Sequence, residues 1–259
     1  MPRIHPTALV DPKAELAGDV EVGAYSIVGP GVRADEGTVI GPHVVVTGRT
    51  SLGKRNRLFQ FTSIGDIPQD RKYSGEPTTT TIGDDNVFRE FMTINAGTAQ
   101  DRGDTRIGNA NLFLAYTHVA HDCVVGNWTT FSNNAQLAGH VQIDDWVVMG
   151  AFSGAHQFCR IGAHAMTAAG AIVLQDVPPF VTAAGYPATP RGINSEGLRR
   201  RGFTAEEIVA VRRAYKTLYR EGRVLDDAKA TLGAAAETAP VLAALVEFLA
   251  APGRGIIRT

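Results

Sequence analysis

The chain has 259 residues, of which 44% are hydrophobic, 20% charged and 7% aromatic, with 28 glycines, 13 prolines and a formal net charge of -1. That length and apolar content can bury a large core, which excludes a disordered chain and a disulfide-stapled miniprotein. A balanced charge gives no electrostatic reason to bind nucleic acid, and Cys123 and Cys159 form neither a CxxC pair nor a disulfide framework. The start, MPRIHPTALVDPKAELAGD, lacks the apolar core of a signal peptide, and no run approaches the ~18 apolar residues of a membrane span. A cytoplasmic protein with no integral membrane segment is expected.

From the first residues the sequence repeats with a period of six. Ile4, Val10, Leu16, Val22, Val28, Ala34, Ile40, Val46, Leu52, Leu58 and Ile64 hold one register. Gly23, Gly29, Gly41, Gly53 and Gly65 follow the aliphatic residue, as suits a turn with positive φ or a close approach to a neighbour. The stretch GDIPQDRKYSGEPTTTT interrupts the rhythm near 66–81 with a loop of polar and turn residues, and loops on a rigid scaffold are where binding groups tend to sit. After Ile82, Phe88 and Ile94 a second loop is expected near 99–106. The register then runs from Ile107 through Phe113, Val119, Val125, Phe131, Leu137, Ile143, Met149, Ala155, Ile161 and Thr167 to Val173. A period of six fits neither a helix nor an alternating strand, but it suits a short strand plus a corner, three of which make an 18-residue coil of a parallel β-helix. About nine coils give a prism roughly 40–45 Å long whose interior admits modest side chains. Residues 1–190 are assigned to this domain and 191–259 to a C-terminal helical domain.

In that second domain Thr204 and Glu207 read as a capping box, and Ile208, Val211, Tyr215 and Leu218 form a helical stripe, predicting a helix over about 205–221. Two further helices are expected near 225–235 and 240–250. Nine Lys/Arg against four Glu between Arg191 and Arg223 make this segment basic, as an anionic partner requires. An Arg triplet such as Arg199-Arg200-Arg201 can clamp a diphosphate, and as a lone feature it is usually a solvated face.

His118, His121, His140 and His156 are separated by 3, 19 and 16 residues, so the last three advance by nearly one coil each and are expected to line one side of the prism. Three readings stay open on the residues alone. The histidines are solvated surface groups; or one is a general base, with His121 the best candidate because Asp122 follows it, although strand neighbours point to opposite faces unless a corner intervenes; or His118, His121 and a third imidazole hold zinc, as in a β-helical carbonic anhydrase. A noncatalytic solenoid scaffold is the alternative from outside enzymology. Cys123 and Cys159 fall at the fifth place of their hexads, where small packing residues recur.

The motifs IHPTALV, SIGDIPQDRKYSGEPT, VAHDCVVGN, NNAQLAGHV, GAHQFCRIGAH, QDVPPFV and NSEGLRRRGF, spread over essentially the whole chain, resemble the UDP-N-acetylglucosamine acyltransferase family of lipid A synthesis. The resemblance implies a left-handed β-helix, which spacing alone cannot establish, and a homotrimer with sites between subunits. It also implies transfer of an (R)-3-hydroxyacyl group from acyl carrier protein to the 3-hydroxyl of the UDP-sugar, with no metal or dissociable cofactor. Carried over by position, His121 is the general base, Asp122 its partner, and the Gly139 N–H the oxyanion donor. Gln69, Asp70 and Lys72 correspond to glucosamine contacts, His118, His140 and His156 to cleft residues, and Gln157 to a group near the uridine. Asn194, Glu196, Arg200 and Arg201 correspond to nucleotide and diphosphate contacts, and Met166 and Ala169 to the acyl-chain pocket. Asn95 stands where family members commonly carry His, within TINAGT, so selectivity for a 3-amino analogue of the sugar, with amide formation, is an alternative.

Overall fold

In the computed structural model, which describes residues 1–258, each hexad places its aliphatic residue inward at the end of a short strand and turns sharply after it. Among the described residues the strands form three sheets of eleven, nine and eight members, built on Arg3–Ile4, Leu9–Val10 and Glu15–Leu16 respectively. We call these the first, second and third faces of a left-handed parallel β-helix. Each strand pairs in parallel with the strand one coil away, so Val22 stacks on Ile40, and Val119 on Leu137. Corner residues continue the same hydrogen bonding, for example from Gly41 N–H to the Leu58 carbonyl at 2.8 Å, which satisfies backbone that a loop would leave exposed. Near the open N-terminal end the inward series is less covered, and Ile4 is exposed.

Three expectations are revised. The interior is not restricted to modest side chains: Phe88, Phe113 and Phe131 are fully buried and stack in successive coils with centroids 5.3 and 4.7 Å apart. Thr79–Ile82 and Asp104–Ile107 are paired strands of the third face, so the first loop shrinks to 67–78 and the second shifts to 96–103. β-Branched threonines suit a pleated, half-buried surface, and that preference outweighs the polar look of TTTT. Finally, of the recurrent glycines that were named only Gly65 takes a positive φ, and the left-handed corner position mostly falls two residues after the glycine position and is seldom glycine itself. Tyr25, His43, Phe61, Phe91 and Tyr116 occupy it between the first and second faces with φ of 55–62°. Their rings stack 4.8–5.2 Å apart, which helps offset the unfavourable backbone. Gly41 is required for the other reason, close approach, since a Cβ there would lie 2.5 Å from the Leu58 carbonyl oxygen.

A hairpin, Val181–Ala184 with Thr189–Ile193, closes the last coil and spans the boundary expected at 190. Among the described residues four α-helices follow: α1 (Ser195–Arg200), which the periodicity did not reveal, α2 (Ala205–Tyr219), α3 (Leu225–Thr238) and α4 (Ala243–Ala250). The Thr204–Glu207 capping box starts α2, and its stripe of Ile208, Val211, Tyr215 and Leu218 is buried. A buried ion pair of the β-helix, Arg160 with Asp176, sits at its junction with this tail. Asp176, 1% exposed, accepts from the Arg160 N–H at 2.9 Å and from its Nε at 3.0 Å, while the guanidinium reaches the carbonyl of Phe248 and lies 4.3 Å over its ring. At the corner between the third and first faces, His164 continues the Trp128–Trp146 stack and meets Phe180 and Phe203. Burial, reinforced by the charge of Arg201, lowers the His164 imidazole from 6.5 to about 4.

Arg160→Ala leaves Asp176 without its guanidinium partner and removes the contact to Phe248, and a stability loss of about 3 kcal/mol is expected in urea unfolding; a loss below about 1 kcal/mol contradicts a structural role for this junction. For His164 the sign follows from its lowered folded pKa. Between pH 6.5 and about 4 the unfolded chain takes up a proton that the folded chain refuses, so stability falls as pH drops through that window. His164→Asn, which tolerates the left-handed backbone and does not titrate, should flatten the difference in urea midpoint between pH 7 and pH 4.5; an unchanged difference refutes this.

Candidate active site

The chain leaves the second face at Val119 and enters the third at Val124, and the turn between them sets the site. Side chains adjacent on a straight strand diverge, but Asp122 takes a φ of 59°, and this corner brings its Oδ2 to 2.9 Å from Nδ1 of His121. Asp122 is 1% exposed. It also accepts from the Thr98 hydroxyl at 2.6 Å and from the Thr98 N–H at 3.0 Å, and its own N–H donates to Oγ1 of Thr105. Burial pushes this carboxyl up, but the hydrogen bonds from His121 and Thr98 together outweigh it and hold the group below the usual carboxylate range. An ionised carboxylate only accepts, so Nδ1 of His121 carries the hydrogen and Nε2 is the free, basic nitrogen.

One coil on, Gly139 packs flat against that imidazole. A Cβ at this position would stand 2.5 Å from His121 Cε1 and 2.7 Å from Nε2, so only glycine leaves the ring in place. The N–H groups on either side are used, Ala138 donating to Ala155 and His140 to His121. None of the described residues accepts from the Gly139 N–H. A groove of about 440 Å³ opens beside it, lined on its polar side by Gln69, His118, His121, Gly139 and His156 and on its apolar side by Leu137, Ala138, Ala155, Ile172 and Leu174. Burial first, and then the neighbouring His121, lower the His118 imidazole, whose Nδ1 lies 2.7 Å from the Thr93 hydroxyl. The groove therefore combines one oriented imidazole, one N–H that none of the described residues accepts from and an apolar wall, a set able to serve acyl transfer to a hydroxyl.

Other residues singled out by the sequence lie around this groove or away from it. His140 sits edge-on to His121, with centroids 4.9 Å apart, and stacks on Phe158. Asp70 and Lys72 stay within the 67–78 loop, where the Asp70 carboxylate accepts from the Lys72 N–H. Gln157 is exposed beside His156. Asn95, 5% exposed, lies under the root of that loop and donates from Nδ2 to the Ile67 carbonyl at 2.9 Å. Met166 belongs to the first face, with the exposed Ala169 at the corner that follows.

The segment 194–201 lies at the corner between the third and first faces, a different edge of the prism. Asn194 caps α1 and donates to the His164 carbonyl, and Glu196 pairs with Arg199 and Arg200. Arg201 turns inward over Trp146, unlike the solvated face that an Arg triplet suggests. Among the described residues the His/Asp/Cys/Glu group close enough to share an ion is His121, Asp122 and His140, which differs from the His118-containing set of the zinc reading. Cys123 and Cys159 are buried as expected, with burial pushing their thiols up to about 12 and about 11.

Thr98, Asp101 and Thr93 complete the surroundings of the histidines, and sequence reasoning missed all three. Thr98 precedes Asp122 by 24 residues, a spacing distorted by the loop, and threonine is too common to draw notice.

Comparison with known proteins places the chain. A family profile described as Udp N-acetylglucosamine O-acyltransferase, Domain 2, matches residues 176–257. The acyl-[acyl-carrier-protein]–UDP-N-acetylglucosamine O-acyltransferases of Thiobacillus denitrificans and Janthinobacterium are 56% and 59% identical to it, each over 100% of both chains. The solved structure of the UDP-N-acetylglucosamine O-acyltransferase of Moraxella catarrhalis is 42% identical and covers 98% of this chain and 99% of its own, with a TM-score of 0.95. Relatedness of this degree over the β-helix and the helical tail alike means that the chain belongs to the acyl-[acyl-carrier-protein]–UDP-N-acetylglucosamine O-acyltransferase family.

Proposed function

We propose that the protein transfers an (R)-3-hydroxyacyl group from the thioester of acyl carrier protein to the 3-hydroxyl of UDP-N-acetylglucosamine, the first step of lipid A biosynthesis, with His121 as the base. The observation that carries this mechanism is the buried Asp122 holding Nδ1 of His121 at 2.9 Å, with Gly139 packed against the same ring and its N–H accepted by none of the described residues. Nε2 of His121 takes the proton of the sugar hydroxyl as its oxygen attacks the thioester carbonyl. The resulting oxyanion accepts from the Gly139 N–H. Collapse breaks the carbon–sulfur bond, and the departing thiolate regains a proton from the imidazolium that Asp122 has stabilised. No covalent enzyme intermediate enters this sequence. The acyl group arrives already activated, and base and oxyanion donor both come from the chain, so the reading calls for no metal or dissociable cofactor.

The sugar-binding set is Gln69, Asp70, Lys72, His118, His140 and His156, with Gln157 toward the uridine. The nucleotide and its diphosphate are assigned to Asn194, Glu196, Arg200 and Arg201, which lie on a different edge of the prism from His121 in the same chain. A homotrimer with each site shared between two chains resolves that separation. The exposed aromatic ladder, which includes Tyr25, Phe61, Phe91 and Tyr116, supplies an apolar surface of the kind that association covers. Met166 and Ala169 are assigned to the far end of the acyl chain, where the Ala169 methyl biases selection toward chains on the shorter side of C14, an effect of about 1–3 kcal/mol. Asn95 bears on sugar selectivity through the root of the 67–78 loop. The basic tail suits an acidic carrier protein. Among the described residues no helix is long and apolar enough to cross a membrane, and two unpaired buried cysteines suit the reducing cytoplasm.

His121→Ala should lower kcat by about 10³-fold in a folded protein, and Gly139→Ala, by displacing the imidazole, by about 10²-fold. Both are measured as acyl transfer from 3-hydroxyacyl carrier proteins of C10 to C16. Undiminished transfer by His121→Ala refutes the base, and faster transfer to the 3-amino analogue than to UDP-N-acetylglucosamine refutes the hydroxyl acceptor.

A further inference from the structure

We propose that Asp101, carried by the loop 96–103, is a positioning residue that fixes His140 beside the base. The loop folds back on itself through bonds from the N–H groups of Asp101 and Gly103 to the Thr98 carbonyl, and it lies over the corner that carries His121. Two of its side chains reach this corner and the equivalent corner of the next coil. Thr98 holds Asp122, and Oδ2 of Asp101 stands 2.7 Å from Nδ1 of His140. The His140 imidazole is 14% exposed and held on three sides: Phe158 stacks on it at 4.3 Å, His121 meets it edge-on, and Asp101 takes its Nδ1–H. The other carboxylate facing it, Asp122, is 3.9 Å from the same nitrogen and already engaged by His121 and Thr98. With Nδ1 committed to a carboxylate, Nε2 is the nitrogen that His140 offers to substrate. Asp101 itself is 39% exposed on a loop, so its effect belongs to the site more than to the fold.

This role rests on the groove being the reaction site, and two kinds of measurement separate the two ideas. Asp101→Asn should raise KM for the nucleotide sugar about tenfold, leave kcat within about threefold and leave the melting temperature unchanged. Asp101→Glu should recover most of the loss. In a His140→Asn background, whose side chain tolerates the φ of 64°, Asp101→Asn should add nothing. Wild-type kinetics for Asp101→Asn, or an equal loss with and without His140, overturns the proposal. Independently of activity, nitrogen-15 spectra of histidine-labelled protein should show His140 as the Nδ1–H form, changing to mixed tautomers in Asp101→Asn. An unchanged tautomer overturns the contact even if the groove proves to be the reaction site, whereas His121→Ala with full activity overturns the groove and leaves the tautomer result standing.

Discussion

Everything in this molecule depends on the hydrogen bonds that each coil makes to the next, because they allow only a whole turn between equivalent residues. With 18 residues per turn, a side chain's face and depth are set by its place in the hexad, and the corner geometry recurs from coil to coil. The constraint is severe: glycine is demanded where neighbouring backbones touch, and bulky residues are carried in a left-handed conformation where their rings can stack. In return, the prism holds a side chain at a corner with little freedom to move, the condition under which a catalytic pair keeps its geometry.

The candidate site exploits the two ways in which the pattern can be locally broken. A left-handed corner turns His121 and Asp122, which a strand would separate, onto each other. The two loops are the other device. Inserted between strands, they leave the register of the coils intact while carrying Gln69 to the groove and Thr98 and Asp101 to the histidines. Rigidity thus comes from the repeat and chemical variety from the insertions.

That division explains what could be read from the sequence. The inward hexad positions, the helical stripe of α2 and the packing cysteines were legible, since each depends on local periodicity that stacking preserves. The size of Phe88, Phe113 and Phe131 was visible but misjudged, because low overall aromatic content says nothing about three rings gathered on one axis. His121 and Asp122 were suspects whose contact depended on a corner that spacing alone could not supply. The partners across the loop, Thr98 at 24 residues and Asp101 at 39, carry no periodic signal, and the inward turn of Arg201 depends on Trp146, several coils earlier in the sequence. Long-range pairs of common residue types are what a single sequence leaves hidden.

The claim on which the account turns is that the reacting hydroxyl is delivered to Nε2 of His121 in a groove completed by a second chain. The structure of the assembled protein with bound UDP-N-acetylglucosamine tests it most directly. The account predicts the sugar 3-oxygen at about 3 Å from Nε2 of His121, with the diphosphate against Arg200 and Arg201 of the neighbouring chain. A sugar bound away from His121, or a diphosphate held by the arginines of the same chain, would contradict it.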